Sequence, residues 1–308
     1  MVASPFSRSG VVVLDGGLAT ELQARGASLD DRLWSARLLI DRPNLIVDAH
    51  TAYFDAGADV AITASYQASF RGFAEQGIDR RGAADLMRRS IGAAAQARDA
   101  WWGAHTPDGR QRPLVATSVG PYGAVLANGA EYTGDYGRSV KELRDFHAER
   151  MEVLADPSAG ADLLAVETIP SGLEARALGE VLADHADLPA WVAFSCRDEG
   201  HLCDGTPLEE AVPMVTVAPN VFAVGVNCTS PNHVASLVEV AARSTDRAVV
   251  AYPNRGASYD AVAKTWGPAD PADFATLAWG WVEAGATLVG GCCGTGPDDI
   301  RAIAAAIR

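Results

Sequence analysis

Eight short apolar runs, separated by segments of helical character, restrict this chain to very few architectures. They lie at residues 11–14, 59–63, 114–118, 162–167, 190–195, 221–227, 248–253 and 287–291. Each is nearly continuous in apolar residues rather than alternating with polar ones, the pattern of a strand buried on both faces of a parallel sheet. Helical segments lie between them: 80–101 is rich in Ala, Met and Arg, 139–154 carries Val140, Leu143, Phe146 and Met151, and 231–242 opens with Pro231, suited to a first helical turn. Strand and helix alternating eight times predict an α/β fold, a (β/α)8 TIM barrel, as a single domain over 11–308 after an N-terminal extension, 1–10. The alternative is an open doubly wound sheet, but its G-x-G-x-x-G fingerprint is absent from Asp15-Gly16-Gly17-Leu18-Ala19-Thr20.

A local repeat tells one end of the barrel from the other. Ala56-Gly57-Ala58-Asp59, Ala159-Gly160-Ala161-Asp162 and Ala284-Gly285-Ala286-Thr287 each join a helix to the next strand. Glycine there can take the left-handed conformation that ends a helix, and its small neighbours pack closely. These short joints mark the bottom. The connections after strands one, three, five and seven are long and rich in Gly, Pro, Asp and Tyr, as loops of an active face are.

Charge narrows the partners. Against 25 basic residues stand 39 acidic ones, a net charge of -14, which disfavours nucleic acid and anionic membranes and leaves small molecules as substrates. Residues 1–10 do not combine a basic start, an apolar core and a cleavage site, and no apolar stretch reaches the roughly 20 residues that span a bilayer. A cytoplasmic protein is expected. Five unevenly spaced cysteines argue for reduced thiols or metal ligation rather than a disulfide framework.

The chemistry gathers where strands end: Asp15, Thr63 with Ser65 and Tyr66, Glu167 with Thr168, Asn227 with Cys228, Asn254, and Cys292 with Cys293. A closed barrel brings these positions into one ring. Cys228 follows the sixth strand and the vicinal pair Cys292-Cys293 the eighth, so one ion can reach all three thiols. Three thiolates with an open fourth position describe a catalytic zinc site rather than a closed structural one. The six histidines lie on helices or loops without H-E-x-x-H spacing, which sets aside zinc chemistry built on imidazoles. Asp298 and Asp299 follow Pro297 at a helix start, where carboxylates meet the positive end of the dipole.

Several segments together resemble the homocysteine S-methyltransferase family. They are 13–22 around Asp15-Gly16-Gly17, Ile62-Thr63-Ala64-Ser65-Tyr66-Gln67, Gly120-Pro121-Tyr122-Gly123-Ala124, Glu167-Thr168, Asn227-Cys228-Thr229, Tyr252-Pro253-Asn254 and Gly290-Gly291-Cys292-Cys293-Gly294-Thr295. The likeness runs from Val11 to the C-terminus. The Gly120–Ala124 loop, and Tyr259-Asp260 followed by Lys264-Thr265-Trp266, are similar to the branch that takes methyl from S-methylmethionine or S-adenosylmethionine. Betaine-using relatives carry a C-terminal oligomerisation extension and corrinoid-dependent ones add folate and cobalamin modules. Neither follows the eighth helix here, so a monomer using zinc alone is expected.

The resemblance implies that Cys228, Cys292 and Cys293 hold Zn2+ and that homocysteine sulfur takes the fourth position. It supports Glu167 as the partner of the substrate ammonium group, with Asp15 beside it. Backbone N–H groups near Gly16-Gly17 or Thr63 are expected to take the substrate carboxylate. Tyr66 and Tyr122 are expected to face the cationic donor through their rings, with Ser65 and Asn227 as further binding residues. Asn254 is expected as a weak, displaceable oxygen ligand to zinc. Cys196 and Cys203 match no motif position and are expected to be free. No side chain need act as a base during methyl transfer itself. Alternatives from other classes are a zinc or thiol redox sensor without turnover, and a methyltransferase using betaine as donor or selenohomocysteine as acceptor.

Overall fold

Residues 5–6, 10–29, 34–105, 110–256, 259–260, 265–266 and 273–308 are described by the computed structural model. Lys264 and most of the N-terminal extension lie outside them. Eight strands run parallel: β1 (Val12–Val13), β2 (Val60–Ile62), β3 (Leu114–Val119), β4 (Leu163–Ile169), β5 (Ala190–Phe194), β6 (Val221–Asn227), β7 (Ala248–Tyr252) and β8 (Leu288–Val289). Each pairs with its sequence neighbour from β2 to β8, and β8 pairs with β1. A parallel bridge from Leu14 to Val60 closes the ring. The protein is therefore a TIM-type barrel.

The outer strands β1 and β8 are shorter than their apolar runs. Just past β8, Gly290 still donates its N–H to the Ala251 carbonyl at 3.1 Å and lies close against β1, where a Cβ would stand 2.6 Å from Leu14 Cβ and 2.8 Å from the Asp15 carbonyl oxygen. The helical segments appear as Arg80–Ala104, Val140–Leu154 and Pro231–Ser244. Ser139 starts the second of these through a capping box with Glu142, each satisfying a backbone N–H of the other. A two-stranded antiparallel pair, Tyr259–Asp260 with Thr265–Trp266, stands in the loop after β7.

Period-two alternation sorts side chains between two cores. On β4, Leu163 and Ala165 face the barrel interior with Trp191 and Val250, while Leu164 and Val166 pack against the helices. The same parity carries Glu167 inward at the top of β4 and Tyr252 inward at the top of β7. Phe6, ahead of β1, packs edge-on against Phe222 at the start of β6, with ring centroids 6.0 Å apart.

The repeated joints behave as their composition requires. Gly57, Gly160 and Gly285 have φ of 108°, 94° and 118°, conformations costly for residues bearing a Cβ. The aspartates that follow also have a task. Asp59 accepts the Val13 N–H at 3.0 Å and Asp162 the Val115 N–H at 2.8 Å, so each satisfies a backbone donor of the adjoining strand at the barrel floor. Among the described residues no helix is long and apolar enough to cross a membrane.

Candidate active site

A cavity of about 250 Å3 opens at the C-terminal ends of the strands. Gly16, Gly17, Thr63, Tyr66, Glu167, Cys228, Cys292 and Cys293 line it together, although they span most of the sequence. The ligand-forming sulfurs of the three cysteines lie within 4.8 Å of one another, and Cys228 Sγ and Cys293 Sγ are 3.7 Å apart. Sulfurs bound about 2.3 Å from one tetrahedral ion stand about 3.8 Å from each other. The thiol cluster therefore fits a metal ion, and its donor set suits one of soft or borderline character.

Local backbone geometry delivers these thiols. Cys228 has φ of 47° and Thr168 φ of 60°, both in the left-handed region that few non-glycine residues enter. Strain at the two strand ends is held by the Asn227 amide. Its oxygen accepts the Thr168 N–H at 2.6 Å, and its nitrogen donates to Thr168 Oγ1 at 2.8 Å and approaches Cys292 Sγ at 3.9 Å. Cys292 is fixed from below by donating its N–H to the Pro253 carbonyl at 2.8 Å.

Glu167 is buried, accepting hydrogen bonds from the hydroxyls of Ser118 and Tyr252. Burial pushes its carboxyl up to about 7, opposed by those two donors. Asp15 is deeper. Its Oδ2 accepts the Ile62 N–H at 2.8 Å, helping to seal the β1–β2 seam, while Oδ1 has no hydrogen-bond partner. Burial first, and the nearby Glu167 charge to a smaller extent, hold the Asp15 carboxyl well above the usual carboxylate range.

Other expected site residues are placed differently. Tyr122 does not line the cavity. Its ring packs on Tyr136 and Phe146, its hydroxyl accepts from Arg71 at 2.6 Å, and its N–H is held by Glu174 at 2.6 Å. Asn254 is turned away from the thiols: its side-chain oxygen accepts the Gly256 N–H at 2.9 Å and its nitrogen donates to the Cys228 carbonyl at 3.3 Å. Ser65 is buried behind the wall, sharing a hydrogen bond with Thr63 and donating to the Ser118 carbonyl. The N–H groups of Thr63 and Gly17, expected to be open to a carboxylate, already donate to Ala116 and Thr295. The first-turn residues Leu18 and Ala19, at the start of the helix Leu18–Ala24, line the cavity beside them. Cys196 and Cys203 are free and lie outside the thiol cluster.

Sequence reading passed over two features. The turn Ala130–Tyr132 brings Glu131 and Tyr132 into the cavity wall, with the Tyr132 hydroxyl 3.8 Å from Cys228 Sγ. Only the tyrosine-rich length of the loop after β3 hinted at it. Behind the wall, fully buried Arg150 donates to the carbonyls of Gly120 and Ala68 and meets His147 Nδ1 at 3.1 Å, while His147 Nε2 lies 2.8 Å from Glu174. Burial, reinforced by the Arg150 charge, lowers His147 to about 4. The neutral ring therefore accepts at Nδ1 and donates from Nε2–H. In the sequence His147 is only one of six histidines on helices or loops, and Arg150 carries no signal of its own.

The model of the family described as homocysteine S-methyltransferase matches residues 12–307. The chain belongs to this family. Homocysteine S-methyltransferase of Escherichia coli (strain K12) is 45% identical over 305 residues, covering 97% of this chain and 96% of the relative. Homocysteine S-methyltransferase YbgG of Bacillus subtilis (strain 168) is also 45% identical, over 300 residues, covering 97% and 95%. The crystal structure of the metallated form of the E. coli homocysteine methyltransferase MmuM superposes with a TM-score of 0.88 at 41% identity, covering 98% of this chain and 99% of that one. This family member is accordingly a methyltransferase, and its three clustered cysteines are a group that could hold a metal ion.

Proposed function

We propose that this enzyme transfers a methyl group from a sulfonium donor, S-methylmethionine foremost and S-adenosylmethionine more slowly, to homocysteine, forming methionine. The observation that carries this reading is the cluster of Cys228, Cys292 and Cys293 in a cavity that also contains Glu167. The three thiolates would hold Zn2+, which, when bound, supplies the Lewis acidity that keeps a substrate thiol ionised near neutral pH. Glu167, with Asp15 close by, binds the homocysteine ammonium group. The N–H groups of Leu18 and Ala19, which have no partner within their helix, receive its carboxylate.

So anchored, the substrate sulfur faces the donor. A sulfur lone pair forms the new bond to the methyl carbon as the carbon–sulfonium bond breaks, and the bonding pair returns to the donor sulfur. A thiolate and a sulfonium become two neutral thioethers, and no proton moves. Charge disappears in this step, so a cavity that excludes water favours it, and alignment of the three atoms supplies much of the rest. Tyr66 lines the same cavity and offers a ring face to the cation. The paired hydrogen bonds between Asn227 and Thr168 brace the wall beside Cys228.

The direct test incubates zinc-loaded protein with homocysteine and S-methylmethionine, S-adenosylmethionine, betaine or methyltetrahydrofolate at equal concentration, without cobalamin, and quantifies methionine. S-methylmethionine is expected to give the fastest transfer. Faster transfer from betaine would overturn the donor assignment while leaving thiolate activation intact.

A further inference from the structure

A second carboxylate lines the cavity and has no task in the reading above. Glu131 sits in the turn Ala130–Tyr132, whose backbone is held by hydrogen bonds from Tyr132 N–H to Gly129, from Gly134 N–H to Ala130 and from Ser195 Oγ to the Glu131 carbonyl. Its Oε2 is buried and lacks a hydrogen-bond partner, and among the described residues no Lys, Arg or His forms an ion pair with it. Of the other carboxylates near the site, Glu167 is engaged by two hydroxyls, and Asp15, although its Oδ1 also lacks a partner, is held by the Ile62 N–H and is not among the residues lining the cavity. A buried carboxylate oxygen without a partner is costly, and native proteins keep few of them. One that opens into a binding cavity is satisfied by the ligand.

The surroundings indicate which ligand. Glu131, Tyr66 and Tyr132 share this part of the wall, and the Tyr132 hydroxyl stands beside Cys228 Sγ. A positive charge held there meets two aromatic rings and one carboxylate next to the thiols, where the methyl group must be delivered. Building on the proposed methyl transfer, we infer that Glu131 is the counter-charge for the donor's sulfonium, and so a specificity-determining residue of the donor site. Sulfonium is positive at every pH, whereas the thioether left after transfer is neutral. The charge that Glu131 reads is the charge lost in the reaction. It therefore favours the donor over its own product and helps the product leave.

The experiment compares zinc-loaded wild type with Glu131→Gln by calorimetric titration with S-methylmethionine and with ethionine, a neutral thioether of similar size that keeps the same amino-acid end. Wild type should prefer S-methylmethionine, and Glu131→Gln should cut that preference about tenfold, the scale of losing one partly screened charge–charge contact, since a sulfonium has no N–H or O–H to donate. Metal content and homocysteine affinity should be unchanged. In steady state KM for the donor should rise by the same factor with little change in kcat, because the lost contact serves binding. Glu131→Asp should recover part of the preference and guards against a misfolded glutamine variant. An unchanged preference ratio, or an equal loss of homocysteine affinity, overturns the assignment. Failure of wild type to make methionine from S-methylmethionine overturns the methyl-transfer reading instead, so the two failures are distinguishable.

Discussion

Glu167→Gln isolates the charge assigned to the homocysteine ammonium group. The carboxylate is buried and faces the cavity, so its bond to an ammonium is charge-assisted and worth about 1.5–3 kcal/mol, or roughly 10- to 150-fold in affinity. Its pKa adds a second signature. With the carboxyl raised to about 7 by burial, it is neutral below that pH and ionised above it, so attraction for the ammonium is fully present on the alkaline side and lost as pH falls. A carboxyl that must ionise to bind weakens affinity by about tenfold between about pH 8 and about pH 6. Calorimetric titration of homocysteine into zinc-loaded wild type and Glu167→Gln across that range reads both effects. Thiol ionisation and metal chemistry affect both proteins alike and cancel in the ratio of their dissociation constants. That ratio should be largest at about pH 8 and shrink about tenfold by about pH 6. A ratio that does not change with pH, or a variant that binds homocysteine as wild type does, would refute the ammonium role of Glu167.

Under reducing conditions the protein should bind about one zinc per chain, and replacing Cys228, Cys292 and Cys293 together by Ser should abolish it, as measured by elemental analysis; full occupancy in the triple variant would reject the site. Gly290→Ala should lower stability by about 1–3 kcal/mol in denaturant unfolding, because the added Cβ must displace Leu14 or the Asp15 carbonyl at the β1–β8 seam. Unaltered stability and metal binding in that variant would show that the seam yields without cost.

The barrel and most of its active ring were legible in the sequence, because the signals for them are local. Continuous apolar runs report strands buried on both faces, and the glycine joints report where helices must stop, as the φ angles of Gly57, Gly160 and Gly285 show. Once eight such units close, strand ends must converge, and that places Thr63, Glu167, Cys228, Cys292 and Cys293 around one cavity. The tertiary structure alone decided which neighbouring polar groups face that cavity. Tyr122 is drawn out of reach because Glu174, 52 residues later, takes its N–H. Asn254 is spent on the turn that follows β7, and Asn227 on the strained Thr168 backbone. Glu131 enters the wall through a turn that the sequence signals only by the length and tyrosines of the loop after β3. Periodicity records burial along one strand, whereas the aim of a loop side chain depends on hydrogen bonds to residues far away in sequence, each of which must satisfy a buried donor or acceptor.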